Sequence, residues 1–335
     1  MKTKPGSGLF DSGGRPSFGI YTTPFKSLDI GDFRPYGKKG RASSGIPGLK
    51  RWIFLGVSGR EFSFGLAVVH LGYLSNLFAY CYDRSAGRIV SEADIIAPFG
   101  MNTLFAGSGS EGGISFSFGG CRAQITLMKK AAALKAEMGK GFSAALEFKR
   151  VEKSMNAVTR NGLKGFNYTL KEAGLEASGF VRARGKEYDV KPGPCANIDY
   201  TFGIPARSTF WNWACGSGAG SRGSKIGFNF AQGINETGHT ENAFWVNGKM
   251  VKVDSVDFIY NDLELLEEWR ITSSDKKVDL VFKPEGERGK NLNIGLITSY
   301  YHQPFGMFYG TLGDGKRKYA LKEVYGFTEE HEARW

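Results

Sequence analysis

The chain has 335 residues, 41% hydrophobic and 14% aromatic, which is enough for one large β domain or two ordinary ones. A spanning helix needs roughly 18 or more apolar residues in a row. The longest apolar neighbourhood, Phe64 to Tyr82, is broken by His70, Gly72, Ser75 and Asn76, so no spanning helix is expected. The opening Met-Lys-Thr-Lys-Pro-Gly-Ser-Gly has no apolar segment behind its basic residues, so no secretory signal is expected and the location reads as cytoplasmic.

The net charge of +11 is unevenly spread: residues 1–51 carry +7 and residues 129–164 carry +6, leaving the rest at −2. Such patches attract phosphates or anionic lipid headgroups. Peripheral contact with anionic membranes is therefore an open reading. Nucleic acid is not expected, because no zinc-finger spacing, helix-turn-helix pattern or RRM signature accompanies the charge. Cys81, Cys121, Cys195 and Cys215 lie far apart without a CxxC. They read as reduced thiols, and no metal site is expected. Nothing beside Cys215 marks it as an activated thiolate.

In chain order, residues 1–50 form a basic arm rich in Gly, Ser and Pro, with Lys38 to Gly48 expected as loop. A β rhythm starts at Trp52. Phe62, Phe64, Leu66 and Val68 share one face of a strand, and Phe78, Tyr80 and Tyr82 share one face of the next, followed by a turn at Asp83 to Gly87. Residues 114–118 and 142–149 alternate in the same way. Between them, Met128 to Met138 favours helix by composition. Its alternation of Leu134, Ala136 and Met138 with Lys135, Glu137 and Gly139 reads instead as strand.

Lys191-Pro192-Gly193-Pro194 interrupts any helix or central strand. It divides an N-terminal β domain, 51–191, from a C-terminal one, 195–335. In the second, Phe210 to Cys215, Ile226 to Phe230, Ala243 to Val246 and Lys249 to Val253 read as strands. Asn247-Gly248 makes a type I′ hairpin. Val278 to Phe282, Leu292 to Tyr301, Gly306 to Leu312 and Lys318 to Phe327 continue the series. Many short strands with regular turns mean sandwich or barrel.

Three of the six tryptophans fall between Trp211 and Trp245. Alternation puts Trp211, Trp213 and Cys215 on one face of a strand. Asn229 lies opposite Phe228 and Phe230, and Glu241 shares a face with Trp245. A polar loop, 233–240, carries Glu236 and His239. Aromatics with a few convergent Asn and Glu groups suit a small-molecule pocket. Core packing alone is the competing explanation. His239 and His302 have no HExxH context or fixed acid partner in sequence.

Pro205-Ala206-Arg207, Trp211-Asn212-Trp213-Ala214, Gly227-Phe228-Asn229, Glu241 to Trp245 and Asn247-Gly248 together resemble a bacterial domain-of-unknown-function family, number 2804. So does the ending, Gln303-Pro304-Phe305-Gly306 through Glu330-His331-Glu332-Ala333-Arg334-Trp335. That family is distantly similar to carotenoid hydratases, tocopherol cyclases and certain Diels–Alder cyclases. The resemblance implies an all-β chain of two lipocalin-like antiparallel barrel or sandwich domains in tandem. It also implies a hydrophobic ligand, isoprenoid or polyketide-like, and no redox cofactor. No catalytic residue can be carried over. The residues themselves suggest a carboxyl acid, Glu241 or Glu236, that protonates an alkene. Trp211, Trp213 and Trp245 would line the pocket and stabilise a cation, and Asn229 and Asn242 would orient the substrate. The expected reaction is hydration, cyclisation or isomerisation. The alternative is a non-catalytic lipid carrier that docks on anionic membranes.

Overall fold

A computed structural model describes residues 8–34, 48–162, 165–293 and 295–335. The loop expected from Lys38 lies outside the described residues up to Gly48. In chain order the strands are β1 (Gly19–Tyr21), β2 (Lys50–Ser58), β3 (Phe62–His70), β4 (Leu74–Asp83), β5 (Arg88–Pro98), β6 (Thr103–Gly107), β7 (Gly112–Phe118), β8 (Cys121–Leu127), β9 (Ala131–Met138), β10 (Phe142–Lys149), β11 (Met155–Asn161), β12 (Gly165–Ala183), β13 (Lys186–Asp189) and β14 (Pro194–Ile204). They continue with β15 (Ser208–Gly220), β16 (Lys225–Gln232), β17 (Ala243–Val246), β18 (Lys249–Lys252), β19 (Val256–Ile259), β20 (Trp269–Ser273), β21 (Val278–Asn293), β22 (Thr298–Gly313) and β23 (Lys318–Arg334).

The first fourteen strands make one antiparallel sheet, in the order β5-β4-β3-β2-β14-β12-β10-β9-β8-β7-β6, with β1, β11 and β13 off that path. The other nine make a second, in the order β18-β17-β16-β15-β23-β22-β21-β20-β19. Both sheets curl, so β7 approaches β3 and β5 in the first, and β19 approaches β16 in the second. The chain is therefore all-β, two curled antiparallel half-barrel sheets in tandem. Among the described residues no helix is long and apolar enough to cross a membrane.

Period-two alternation builds the main cores. Ile53, Leu55 and Val57 of β2, with Phe64, Leu66 and Val68 of β3, fill the first sheet's interior. Phe228, Phe230, Phe282 and Phe308 fill the second's. The opposite faces meet each other: Phe54, Tyr80 and Tyr82 of the first sheet pack on Trp211, Trp213, Phe305 and Phe327 of the second. β9 is a strand despite its helix-favouring composition. It lies between β8 and β10, so both of its edges are hydrogen-bonded, and its Ala132, Leu134, Ala136 and Met138 are buried. Local preference yields to two ladders and a core face. The hairpin at Asn247 and Gly248 has φ of 49° and 77°, as a type I′ turn requires.

Two stretches differ from the sequence expectation. Leu292 to Tyr301 is not one strand: β21 ends at Asn293 and β22 starts at Thr298. Gly295 turns the chain at φ 78°, its N–H donating to Asn293 Oδ1 at 3.1 Å. Apolar residues on both arms of a hairpin imitate a continuous strand when the turn is weakly marked. The division placed at 191–195 falls one strand before the change of sheet. β14 pairs with β12 and β2, and the chain crosses to the second sheet at Pro205–Arg207.

The sheets touch closely at Gly174 and Gly227. A Cβ on Gly227 would sit 2.1 Å from the Gly174 nitrogen. Gly174, at φ 75°, is the extra residue of a bulge between Ala173 and Leu175 in β12. Its N–H donates to Ser217 Oγ at 2.9 Å, which in turn donates to the Ala196 carbonyl at 2.9 Å. This contact fixes how β12 and β14 face β15 and β16, and so positions the site.

Candidate functional site between the sheets

Beside that contact the sheets separate and leave a cavity of about 210 Å³. The first sheet contributes Trp52 and Phe54 from β2, Phe78 from β4, Asp94 from β5, Lys171 from β12 and Asp199 from β14. The second contributes Trp211 and Trp213, Glu241, Arg288, and, from β22 and β23, Ser299, Tyr301, Glu329 and His331. Trp335 lines the cavity as well. Trp52 lies nearly parallel to Trp211 (4° between planes, centroids 6.4 Å apart) and to Trp335 (20°, 6.4 Å). Arg207 anchors that end, donating to the Trp335 carbonyl at 2.7 Å.

Three buried ionisable groups meet in this wall. Lys171 Nζ lies 2.5 Å from Asp199 Oδ2 and 3.4 Å from Glu241 Oε1. Glu241 Oε2 accepts from Asn235 Nδ2 at 3.0 Å. Asn235 Oδ1 accepts from Thr159 (3.0 Å) and from Asn167 (2.9 Å), tying the 233–240 loop to the first sheet. Two carboxylates share one ammonium, and Asp199 Oδ1 has no hydrogen-bond partner. Burial raises the Asp199 carboxyl to about 6, with Lys171 opposing and Glu241 adding to the rise. Lys171 is itself raised: its two carboxylates outweigh its burial.

A second polar group faces this one from β22 and β23. Glu329 Oε1 accepts from Trp211 Nε1 at 2.7 Å, and Oε2 from Gln303 Nε2 at 3.1 Å. Tyr80 donates to Gln303 Oε1 at 2.5 Å. His331 packs on Trp211 with ring centroids 4.2 Å apart, and its Nε2 is 2.9 Å from Ser299 Oγ. A third set centres on Arg288, buried between Asp94 (2.9 Å) and Glu92 (3.0 Å) and over the Phe78 ring at 4.4 Å; its Nε makes an ion pair with Glu92 but no hydrogen bond.

Of the residues singled out in the sequence, Trp211, Trp213 and Glu241 line this cavity. Asn229 stands just behind them. It accepts from Trp213 Nε1 at 2.8 Å and donates to the Glu241 carbonyl at 3.0 Å, so it orients both without facing the cavity. Asn242 is structural, accepting from the Ala231 N–H (2.7 Å) and donating to the Asp254 carbonyl (2.9 Å). Trp245 is buried elsewhere, against Ile20, Met155 and Ala173, with its Nε1 donating to the Lys153 carbonyl at 2.9 Å. Glu236 is exposed and caps its own turn through the Gly233 N–H at 3.0 Å. His239 is exposed on the same loop and does not line the cavity. Cys215 is buried between the sheets, which pushes its thiol well above the ordinary range. Among the described residues, no group of three or more His, Cys, Asp or Glu could hold a metal ion.

Sequence reasoning did not pick out Lys171, Asp199, Glu329, His331 or Ser299. Lys171, Asp199 and Ser299 lie on three different strands, Glu329 and His331 two residues apart on a fourth, and only sheet packing brings them together. One signal was available for His331 and Trp335, in the charged and aromatic ending His331 to Trp335.

Fold and site together define a class: a two-sheet β protein with an aromatic, ionisable cavity between its sheets. Within it, the chain belongs to the family described as Domain of unknown function (DUF2804), whose profile matches residues 2–335. No curated protein matches the sequence. Among solved structures, the fold is similar to that of an AttH-like protein from Nitrosomonas europaea, at 13% identity and TM-score 0.56, covering 89% of this chain and 99% of that one. It is also similar to CghA, at 9% identity and TM-score 0.54, covering 98% and 97%. CghA with Sch210972 gives 8% identity, TM-score 0.53 and 98% of both chains. At these identities the likeness is one of fold.

Proposed function

We propose that the protein binds a hydrophobic small molecule between its sheets and moves a proton on it, as a hydratase, cyclase or isomerase. The observation that carries this reading is Asp199: buried at 7% exposure, one oxygen on Lys171, the other unpartnered, in the wall of an aromatic cavity. A carboxyl raised to about 6 is protonated often enough near neutral pH to act as an acid. Its proton goes to one alkene carbon, and a C–H bond forms. The adjacent cation lies among the indole faces. Asp199, now a carboxylate, or Glu241 then takes a proton from a neighbouring carbon to complete an isomerisation. In a hydration, water adds to the cation and yields its proton to the same carboxylates. Lys171 holds the pair in place and limits the charge buried there.

The test is turnover of a hydrophobic metabolite extract, followed by mass spectrometry. Asp199→Asn is expected to abolish turnover while leaving ligand binding intact. Turnover that survives both Asp199→Asn and Glu241→Gln removes these carboxyls as the acid. A carrier that takes its ligand from an anionic bilayer is the second reading. It is favoured by Phe99 and Leu296, 81% and 70% exposed, the first three residues after the cavity residue Ile96 and the second adjacent to the cavity residue Ile297. Flotation with anionic liposomes that is unchanged by Phe99→Ser and Leu296→Ser would reject it.

A further inference from the structure

The wall opposite Asp199 holds a constellation that the proton-transfer reading does not use. Ser299 and Tyr301 lie on one face of β22, and Glu329 and His331 on one face of the neighbouring β23, with Tyr301 paired to His331 in register. All four line the cavity. Ser299 Oγ is 2.9 Å from His331 Nε2. The other imidazole nitrogen, Nδ1, faces Glu329 Oε1 at 3.8 Å. That carboxylate is held by Trp211 and Gln303, so its position is fixed before any ligand arrives. His331 is fixed in turn by packing against Trp211 and the edge of Tyr301, with centroids 5.1 Å apart. The buried Tyr301 hydroxyl lies beside the Glu329 carboxylate, short of a full hydrogen bond. Burial, with that carboxylate adding to it, lifts the phenol well above its ordinary range, so it remains a donor.

A hydroxyl on an imidazole, an imidazole facing a carboxylate, and a protonated phenol beside them are the parts of nucleophilic acyl transfer. We propose that Ser299 is a nucleophile toward esters of hydrophobic acids, with His331 as its base, Glu329 as the positioning residue and Tyr301 as the oxyanion donor. Ser299 Oγ bonds to the ester carbonyl carbon, and its proton passes to His331 Nε2. The carbonyl π pair moves onto the oxygen, toward which the Tyr301 hydroxyl donates. Collapse breaks the ester C–O bond, and the leaving alkoxide takes the proton from His331. Water repeats the sequence on the acyl-serine, releasing the acid and restoring Ser299. The acyl chain lies along the indole and phenyl walls. The Nδ1 to Glu329 separation is longer than a hydrogen bond, and such contacts tighten when substrate displaces solvent.

The experiment is labelling of the full chain with an alkyl fluorophosphonate, read by intact mass and peptide mapping, beside hydrolysis of p-nitrophenyl esters of increasing acyl length. A single adduct on Ser299 is expected, absent in Ser299→Ala and formed about a hundredfold more slowly in His331→Gln. Hydrolysis should rise with acyl length and fall to background in Ser299→Ala. Glu329→Gln keeps an acceptor for Trp211 but removes the carboxylate that faces His331 Nδ1, so ester hydrolysis should lose kcat with KM unchanged. A kcat that stays put removes Glu329 from its role. No adduct on Ser299 in wild-type protein, or ester hydrolysis that persists in Ser299→Ala, overturns the proposal. Binding of an apolar dye by Ser299→Ala shows that the cavity is intact. Turnover of the metabolite extract that is lost in Asp199→Asn, found together with no adduct on Ser299 in wild type, would overturn this proposal and leave the proton-transfer reading standing.

Discussion

Lys171 and Glu172 are neighbours on β12, and alternation sends them to opposite faces of the sheet. Glu172, inside the first sheet, meets Arg150 in a bidentate pair: Nη2 to Oε1 at 2.8 Å and Nε to Oε2 at 2.9 Å. Arg150 Nη1 is also taken up, by the carbonyls of Met128 (3.1 Å) and Ser110. That site holds one cation and one anion, and its polar atoms have partners. Lys171, on the cavity side, holds one cation against two carboxylates and leaves Asp199 Oδ1 without a partner. Both clusters are buried at similar depth. Equal burial with unequal satisfaction separates an ion pair that serves the fold from one kept ready for a ligand.

The largest effect is expected from Lys171→Met. It leaves two buried carboxylates without a cation, a change that costs about 3–5 kcal/mol. The loss should shrink as pH falls toward 5, because protonation of Asp199, raised to about 6, removes one of the two buried charges. Urea unfolding at pH 7 and pH 5 reads both, and an equal loss at the two pH values would show that Lys171 supports the fold through packing alone. Arg150→Met should cost a similar amount, about 3–5 kcal/mol, by stranding Glu172. Here the second substitution discriminates. Arg150→Met with Glu172→Leu replaces a satisfied pair by apolar groups and should recover most of the stability, while cavity binding stays unchanged. A double variant as unstable as the single one would mean that the carbonyls of Met128 and Ser110 depend on Arg150 more than Glu172 does. Trp211→Phe is smaller. It removes a hydrogen bond to a charged group, worth about 1.5–3 kcal/mol, and frees Glu329. Thermal unfolding measures the loss, and apolar dye binding should weaken with it.

These residues also mark how far the sequence could be read. Alternation at Phe62 to Val68, at Phe78 to Tyr82 and through the helix-favouring Ala131–Met138 segment disclosed the strands, because burial on one face forces a period of two. The Trp211 to Gly248 stretch yielded Trp211, Trp213 and Glu241 because they sit close together in the chain. The same proximity misled for Trp245 and Glu241. Alternation counted through 241–245 supposes one continuous strand, but β17 begins only at Ala243. Glu241 therefore stands in the approach to the strand and turns to the cavity, while Trp245 packs at the β12–β16 crossing. Lys171 and Asp199 were illegible for a different reason. They are 28 residues apart in sequence and become adjacent only because β12 pairs with β14 in the register Lys171↔Asp199. No local pattern encodes that register, and the bulge at Gly174 shifts it further along the same pair of strands.

The smallest change in stability is expected from Asp199→Asn, and it is the sharpest test of the comparison. In the folded chain this carboxyl is raised from 3.8 to about 6. The folded state therefore binds the proton more tightly than the unfolded one. A raised acid adds stability below its unfolded pKa and loses it as pH climbs through the folded value. Wild-type protein should thus gain on the order of 1 kcal/mol between pH 7 and pH 5 from this group, a gain that Asn cannot make. At pH 7 the variant leaves Lys171 and Glu241 as a balanced pair, so its stability should match or exceed that of wild type. At pH 5 the difference between the two proteins should move in favour of wild type. Parallel stability profiles would mean that the extra negative charge beside Lys171 is not held under strain. The Asp199 site would then be as satisfied as Arg150 and Glu172, and the contrast between the two faces of β12 would disappear.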